Sequence, residues 1–170
     1  TQGLWSFDPQ KKEFLEFIYG RSDGDVFAVR MHSNSYTKPD LITAVVFYDG
    51  RQRKFEWFDG QEKAIYEQLE SLIPFADRFR IVDRSRDGNT MIIENSGPRD
   101  PGTFYLLKNS ELHVVGSAKP AIASKNLADV EAITYESSDG MKIKGFVTIP
   151  NSEPPYPLVV MPHGGPFVAE

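Results

Sequence analysis

The sequence predicts a mainly β protein with one clear helix. Two observations carry that expectation. Short apolar runs recur along most of the chain, separated by polar turns rich in Asp-Gly, Asn and Pro. Only one stretch, residues 59–73, spaces its apolar residues as a helix does.

Taken in order, Leu4-Trp5-Ser6-Phe7 and Phe14 to Tyr19 flank Asp8-Pro9 and predict a hairpin. Val26 to Met31 predicts a further strand. Ile42 to Tyr48 and Lys54 to Phe58 flank Asp49-Gly50, a hairpin signal because glycine accepts the positive φ of a tight turn. Asp59 is placed to cap the helix, Glu62 to complete a capping box, and Pro74 to stop it. Ile65, Leu69, Leu72 and Ile73 form the face expected to pack on the core.

Between Phe79 and Val115 the rhythm tightens. Phe79–Val82, Met91–Ile93, Phe104–Leu107 and Leu112–Val115 are four runs separated by Asp87-Gly88-Asn89, by Gly97 to Gly102 and by Lys108-Asn109-Ser110. Four such strands predict one antiparallel sheet, the unit of a β-propeller blade. Residues 25–58 would make most of a second blade and 3–19 the end of a third, with a sandwich or an open sheet as alternatives. Residues 117–130 read as a linker with a helical turn. A second hairpin comes next, Ala132–Glu136 and Lys144–Ile149 around Ser138-Asp139-Gly140. Pro150 to Pro157 then holds four prolines in eight residues and must be a loop. Leu158-Val159-Val160-Met161 is apolar throughout, as in a strand covered on both faces. The expected organisation is therefore residues 1–116, a linker at 117–130, and a second domain beginning at 131–170.

Composition narrows the function classes. The 170 residues carry 19 Lys and Arg against 24 Asp and Glu, a formal charge of −5 with the signs scattered. Phosphate binding wants a concentrated basic patch, so no nucleic-acid partner is expected. No run reaches the roughly 18 apolar residues of a membrane-spanning helix, and no membrane partner is expected. With no cysteine there is no disulfide, thiolate metal site or thiol nucleophile. His32 and His113 have no second ligand at metal spacing, so no metal and no cofactor are expected. Asp83, Arg84, Arg86, Asp87, Arg99 and Asp100 alternate in sign and read as a solvated sheet edge.

Chemistry is expected at His163-Gly164-Gly165-Pro166, directly after the apolar run. Glycines at the end of a buried strand let the backbone turn sharply and leave N–H groups facing a cleft. An oxyanion hole needs such donors, each worth about 3–4 kcal/mol to a tetrahedral intermediate. The bland alternative is a glycine-rich turn without function. Gly20-Arg21-Ser22-Asp23-Gly24 also matches the nucleophile-elbow pattern, yet the next residues, Asp25 to Val29, read as a strand rather than the required helix. Ser22 is therefore expected to be a turn residue.

The hairpin Ile133 to Ile149, the proline-rich loop, and Pro157 through Pro166 together resemble the start of the catalytic domain in prolyl oligopeptidase-family serine peptidases. The nearest likeness is to the acylaminoacyl-peptidase and dipeptidyl-peptidase-like branches. Arg84-Ser85-Arg86-Asp87-Gly88 and Asp100 to Tyr105 resemble that family's last propeller blade. The resemblance covers most of residues 77–166 and implies a β-propeller capping an α/β-hydrolase domain. It implies Gly164 and Gly165 as oxyanion-loop donors and His163 and Pro166 as loop-shaping residues. The Ser, Asp and His triad would come further along the protein than residue 170. The chain then reads as an internal piece of a serine peptidase acting on peptide or acyl-peptide bonds of short peptides, inactive by itself. A propeller-type binding or scaffold module and a non-peptidase esterase are the other two readings. Open strand edges add the expectation of a dimer.

Overall fold

The computed structural model describes residues 3–162 and 164. Eleven strands, one α-helix and one short 3₁₀ turn succeed one another along them. The strands form four antiparallel sheets among the described residues, none closed on itself.

Strands β1 (Leu4–Asp8) and β2 (Glu13–Tyr19) form the first hairpin. It carries Trp5, Phe7, Phe14 and Phe17 in edge-to-face contact, Trp5 and Phe17 centred 5.0 Å apart. All four rings are exposed. β3 (Ala28–Met31), β4 (Ile42–Asp49) and β5 (Gln52–Trp57) form a three-stranded sheet with β4 in the middle. Its central strand buries four consecutive residues, Thr43 to Val46. The β4–β5 turn closes on Gly50 at φ 57°, a conformation that costs glycine nothing.

Helix α1 (Gly60–Leu72) starts where expected, with Asp59 accepting from the backbone N–H groups of Gln61 and Glu62. The capping box is only half formed. The Glu62 side chain does not return to the Asp59 N–H, which donates instead to Thr43 O at 3.2 Å. The buried face also differs from the expected one. Tyr66, Leu69 and Ile73 are buried while Leu72 is exposed, because Glu62 and Tyr66 stand on the stripe that meets the sheets.

Strands β6 (Arg80–Arg84), β7 (Thr90–Gly97), β8 (Asp100–Lys108) and β9 (Glu111–Ser117) form the anticipated four-stranded antiparallel meander. Here the polar segment Gly97 to Gly102 is not one long turn, since Asp100, Pro101 and Gly102 belong to β8. Asp100 makes this possible by accepting from Gly102 N and Thr103 Oγ1, which holds Gly102 at φ 112°. No residue with a Cβ adopts that angle readily.

One core joins α1 and the two larger sheets. Tyr66, Leu69 and Ile73 from the helix meet Phe79, Met91, Ile93, Tyr105 and Leu107 from the four-stranded sheet and its approach, with Phe55 and Trp57 of β5 beside them. Phe79 stacks on Tyr66 at 4.3 Å between centroids. The Arg30 guanidinium lies over the rings of Tyr66 and Trp57, and its burial lowers its pKa from the ordinary value.

After the 3₁₀ turn Ser124–Asn126, strands β10 (Val130–Glu136) and β11 (Lys142–Thr148) pair without a bulge, and their turn places Gly140 at φ 82°. The proline-rich loop is irregular, as expected. Leu158–Met161 does not form a strand. The four residues are 72–86% exposed and no described residue pairs with them, so the backbone ladder that defines a strand has no second side.

Candidate functional site

Of the expected oxyanion segment, Gly164 is described and exposed, with no atom within 4 Å of where a Cβ would stand. His163, Gly165 and Pro166 lie outside the described residues. Ser22 sits in a bend that leads to β3 and not to a helix. Its neighbours Arg21 and Asp23 pair at 2.6 Å, and Arg21 covers the Phe47 ring at 3.9 Å. Nothing there resembles a nucleophile elbow.

The most concentrated polar chemistry among the described residues is at the junction of the three-stranded sheet, α1 and β6. Glu62 is 1% exposed. It accepts from Ser33 N at 3.0 Å and from Ser33 Oγ at 2.7 Å, and it faces Arg84 Nη1 at 3.4 Å. Arg84 Nη1 also donates to Ser33 Oγ at 2.7 Å, and its Nε donates to Gly88 O. His32, with its side chain 8% exposed, brings Nε2 to 3.6 Å from Glu62 Oε1. Its Nδ1 accepts from Asn34 N at 3.0 Å. An accepting Nδ1 holds no proton, so the ring proton lies on Nε2 and faces the carboxylate.

These residues include Ser, His and Glu, yet they are not connected as a hydrolytic relay. Such a relay needs the histidine to take the serine proton. Here Ser33 Oγ gives its proton to Glu62 and receives one from Arg84, and His32 bonds to neither. The cluster ties three elements together instead. Asn34 extends the tie by donating to Ser85 O and Arg86 O, across 51 and 52 positions of sequence.

Beside this junction lies a cleft of about 470 Å³ lined by Tyr36, Asp83, Arg84, Ser85, Arg86, Thr90 and Ile92. The Arg86 guanidinium stands 6.0 Å over the Tyr36 ring on one wall. Ser85 and Asp87 are occupied with each other and with Asn89 and Thr90. The hydrogen bond from Ser85, with those from Asn89, holds the Asp87 carboxyl below its usual range.

The expectation that the alternating charges form a solvated edge therefore needs correction at two positions. Arg84 is held in the Glu62 cluster, and Asp100 is 4% exposed and bonded to Asn95 Nδ2 at 2.6 Å. Asp87 does face solvent. His32 is half-buried, with its side chain turned inward, whereas His113 is exposed next to Glu111. The Glu62 cluster was invisible from spacing, because its members come from positions 32–34, 62 and 84. The one available signal was an acidic residue on the apolar stripe of the helix.

Comparison with known proteins finds a distant similarity to a peptidase. The chain is 27% identical over 128 residues to "Dipeptidyl aminopeptidase BIII" of Pseudoxanthomonas mexicana, covering 68% of this chain. It spans only 18% of that relative's length. No family model matches the chain. No solved structure matches it.

Proposed function

We propose that this chain is the propeller-to-hydrolase junction of a serine peptidase of the prolyl oligopeptidase kind. Residues 1–116 act as closing propeller blades, 117–130 as the linker and 131–170 as the start of an α/β-hydrolase domain. Gly164 and Gly165 supply backbone donors to the oxyanion, with His163 and Pro166 shaping their loop. The parent cleaves peptide or acyl-peptide bonds of short peptides through a Ser, Asp and His triad. The chain alone is inactive, because an oxyanion hole without nucleophile and base has nothing to stabilise.

One observation carries this reading: the similarity to a dipeptidyl aminopeptidase, in a chain that also holds the His-Gly-Gly-Pro tetrad. The four-stranded meander and the unpartnered apolar run Leu158–Met161 are consistent with blades followed by the edge of a larger sheet.

The test uses the longer protein encoded around this chain. Labelling by a fluorophosphonate and release of nitroaniline from dipeptidyl nitroanilides are the expected results, with no hydrolysis by the 170-residue chain. Hydrolysis of nitrophenyl esters without any peptidase activity would replace the reading by an esterase. No labelling at all would leave a binding module.

A further inference from the structure

The turn after β3 closes on a histidine where asparagine or aspartate would ordinarily stand. In an Asx-turn a short side-chain oxygen accepts from the backbone N–H two residues on. Here His32 Nδ1 does this to Asn34 N at 3.0 Å. The rest of the turn is organised by Asn34, whose Oδ1 accepts from Thr37 N and whose backbone oxygen accepts from Lys38 N. The same Asn34, buried at 6% exposure, reaches Ser85 O and Arg86 O with its amide. Tyr36, carried by this turn, makes one wall of the cleft with Arg86. The imidazole acceptor is thus one of the bonds that set the backbone of Asn34, the residue on which the turn, its tie to the β6–β7 connection and the placing of Tyr36 converge.

Unlike an asparagine oxygen, that acceptor can be removed by a proton. We propose that His32 is an acid-sensitive pin: protonation of Nδ1 sets two N–H donors against each other, releases the turn at 33–38 and opens the cleft wall formed by Tyr36.

The groups facing the ring set the balance. From α1, Glu62 lies at 3.6 Å and Asp59 of the cap is close enough to interact, so two carboxylates face the ring. From β6, Arg84 reaches Glu62 from the other side, and Lys38 of the turn itself lies near Asp59. The carboxylates attract Nε2 whether or not Nδ1 is protonated, so β3 and α1 stay joined while the turn lets go.

Hydrogen–deuterium exchange of the peptide covering residues 33–40, read by mass spectrometry in the longer protein and corrected for intrinsic pH dependence, tests this. Protection of the turn should fall at least about tenfold between buffers of about pH 8 and about pH 5, with residues 60–72 unchanged. His32→Asn keeps an acceptor in the same place and cannot titrate, so the turn should stay protected throughout. His32→Leu keeps none, so the turn should be open throughout. A wild-type turn equally protected at both ends overturns the proposal. So does a His32→Asn variant that still opens in acid, or a His32→Leu variant that stays closed.

Discussion

The carboxylate of Glu62 and the hydroxyl of Ser33 lie 2.7 Å apart across 29 positions of sequence, with the Arg84 guanidinium closing the triangle on the same oxygens. The Glu62 carboxyl, at 1% exposure, is satisfied by the Ser33 backbone and hydroxyl and by Arg84, with His32 Nε2 at 3.6 Å. The cluster holds α1 against both larger sheets.

Glu62→Ala should therefore cost more than any surface change. It leaves the Arg84 charge and the Ser33 donors facing a vacated site, a loss of about 3 kcal/mol or more in urea unfolding. Glu62→Gln keeps an oxygen for Ser33 while losing the charge opposite Arg84, so its loss should fall between that of alanine and the parent. Equal stability of all three proteins would show that the cluster ties nothing.

The Asn95–Asp100 pair should behave similarly within the four-stranded sheet. Asn95 has no exposed surface; its Nδ2 donates to Asp100 Oδ2 and Phe75 O, and its Oδ1 accepts from Asp77 N. Asn95→Ala strands those groups and should cost at least about 2 kcal/mol by chemical denaturation, since each unsatisfied buried group costs about 1–3 kcal/mol.

Much of this architecture could be read from the chain because its signals are local. Asp49-Gly50 fixes a turn by backbone sterics alone, Asp59 starts the helix by hydrogen bonds within one turn, and Pro74 stops it because it has no N–H to continue the ladder. The four runs from Phe79 to Val115 became four strands for the same reason. The features that stayed hidden depend on partners far along the chain. Glu62 looked like half of a capping box until Ser33 and Arg84 were brought to it. Asp100 looked like a turn residue until Asn95 enclosed it. Leu158–Met161 carries the pattern of a covered strand, but a pattern specifies a preference and a ladder needs a neighbour. Of the expected functional residues, only Gly164 falls among the described ones, and it is exposed, with nothing within 4 Å of where a Cβ would stand.

Acid should weaken the start of α1 through Asp59. Donation from Glu62 N, reinforced by Gln61 N, holds its carboxyl below the usual range in the folded state. A lowered folded value means stability present above the unfolded value and lost as pH falls through the folded one. Asp59→Asn keeps an oxygen acceptor without the charge. Its unfolding midpoint should then decline less steeply than the parent's as pH falls below the carboxylate range. Parallel acid limbs would remove Asp59 as a contributor.

Phe79 should be the most sensitive apolar position. It has no exposed surface, stacks on Tyr66, and lies just before β6, where Arg53 donates to its backbone oxygen. Phe79→Ala opens a cavity between helix and sheet and should cost about 3–5 kcal/mol. Phe79→Leu retains much of the volume and should cost less. A thermal melt unchanged by the alanine would mean the helix does not depend on this contact.

The proposed oxyanion loop can be tested at Gly164 without rebuilding its surroundings. A Cβ there meets nothing within 4 Å, and the backbone is outside the left-handed region, so alanine is accommodated and keeps the N–H. Proline removes that N–H while occupying a similar space. In the longer protein, Gly164→Ala should keep kcat near the parent's. Gly164→Pro should lower kcat by about 100- to 1000-fold, the effect of losing one donor to a tetrahedral oxyanion, with a smaller change in KM. Fluorophosphonate labelling should slow in step with kcat, because it passes through an anionic centre at the same place. If proline and alanine give the same kcat, the N–H at 164 does not face the reacting oxygen.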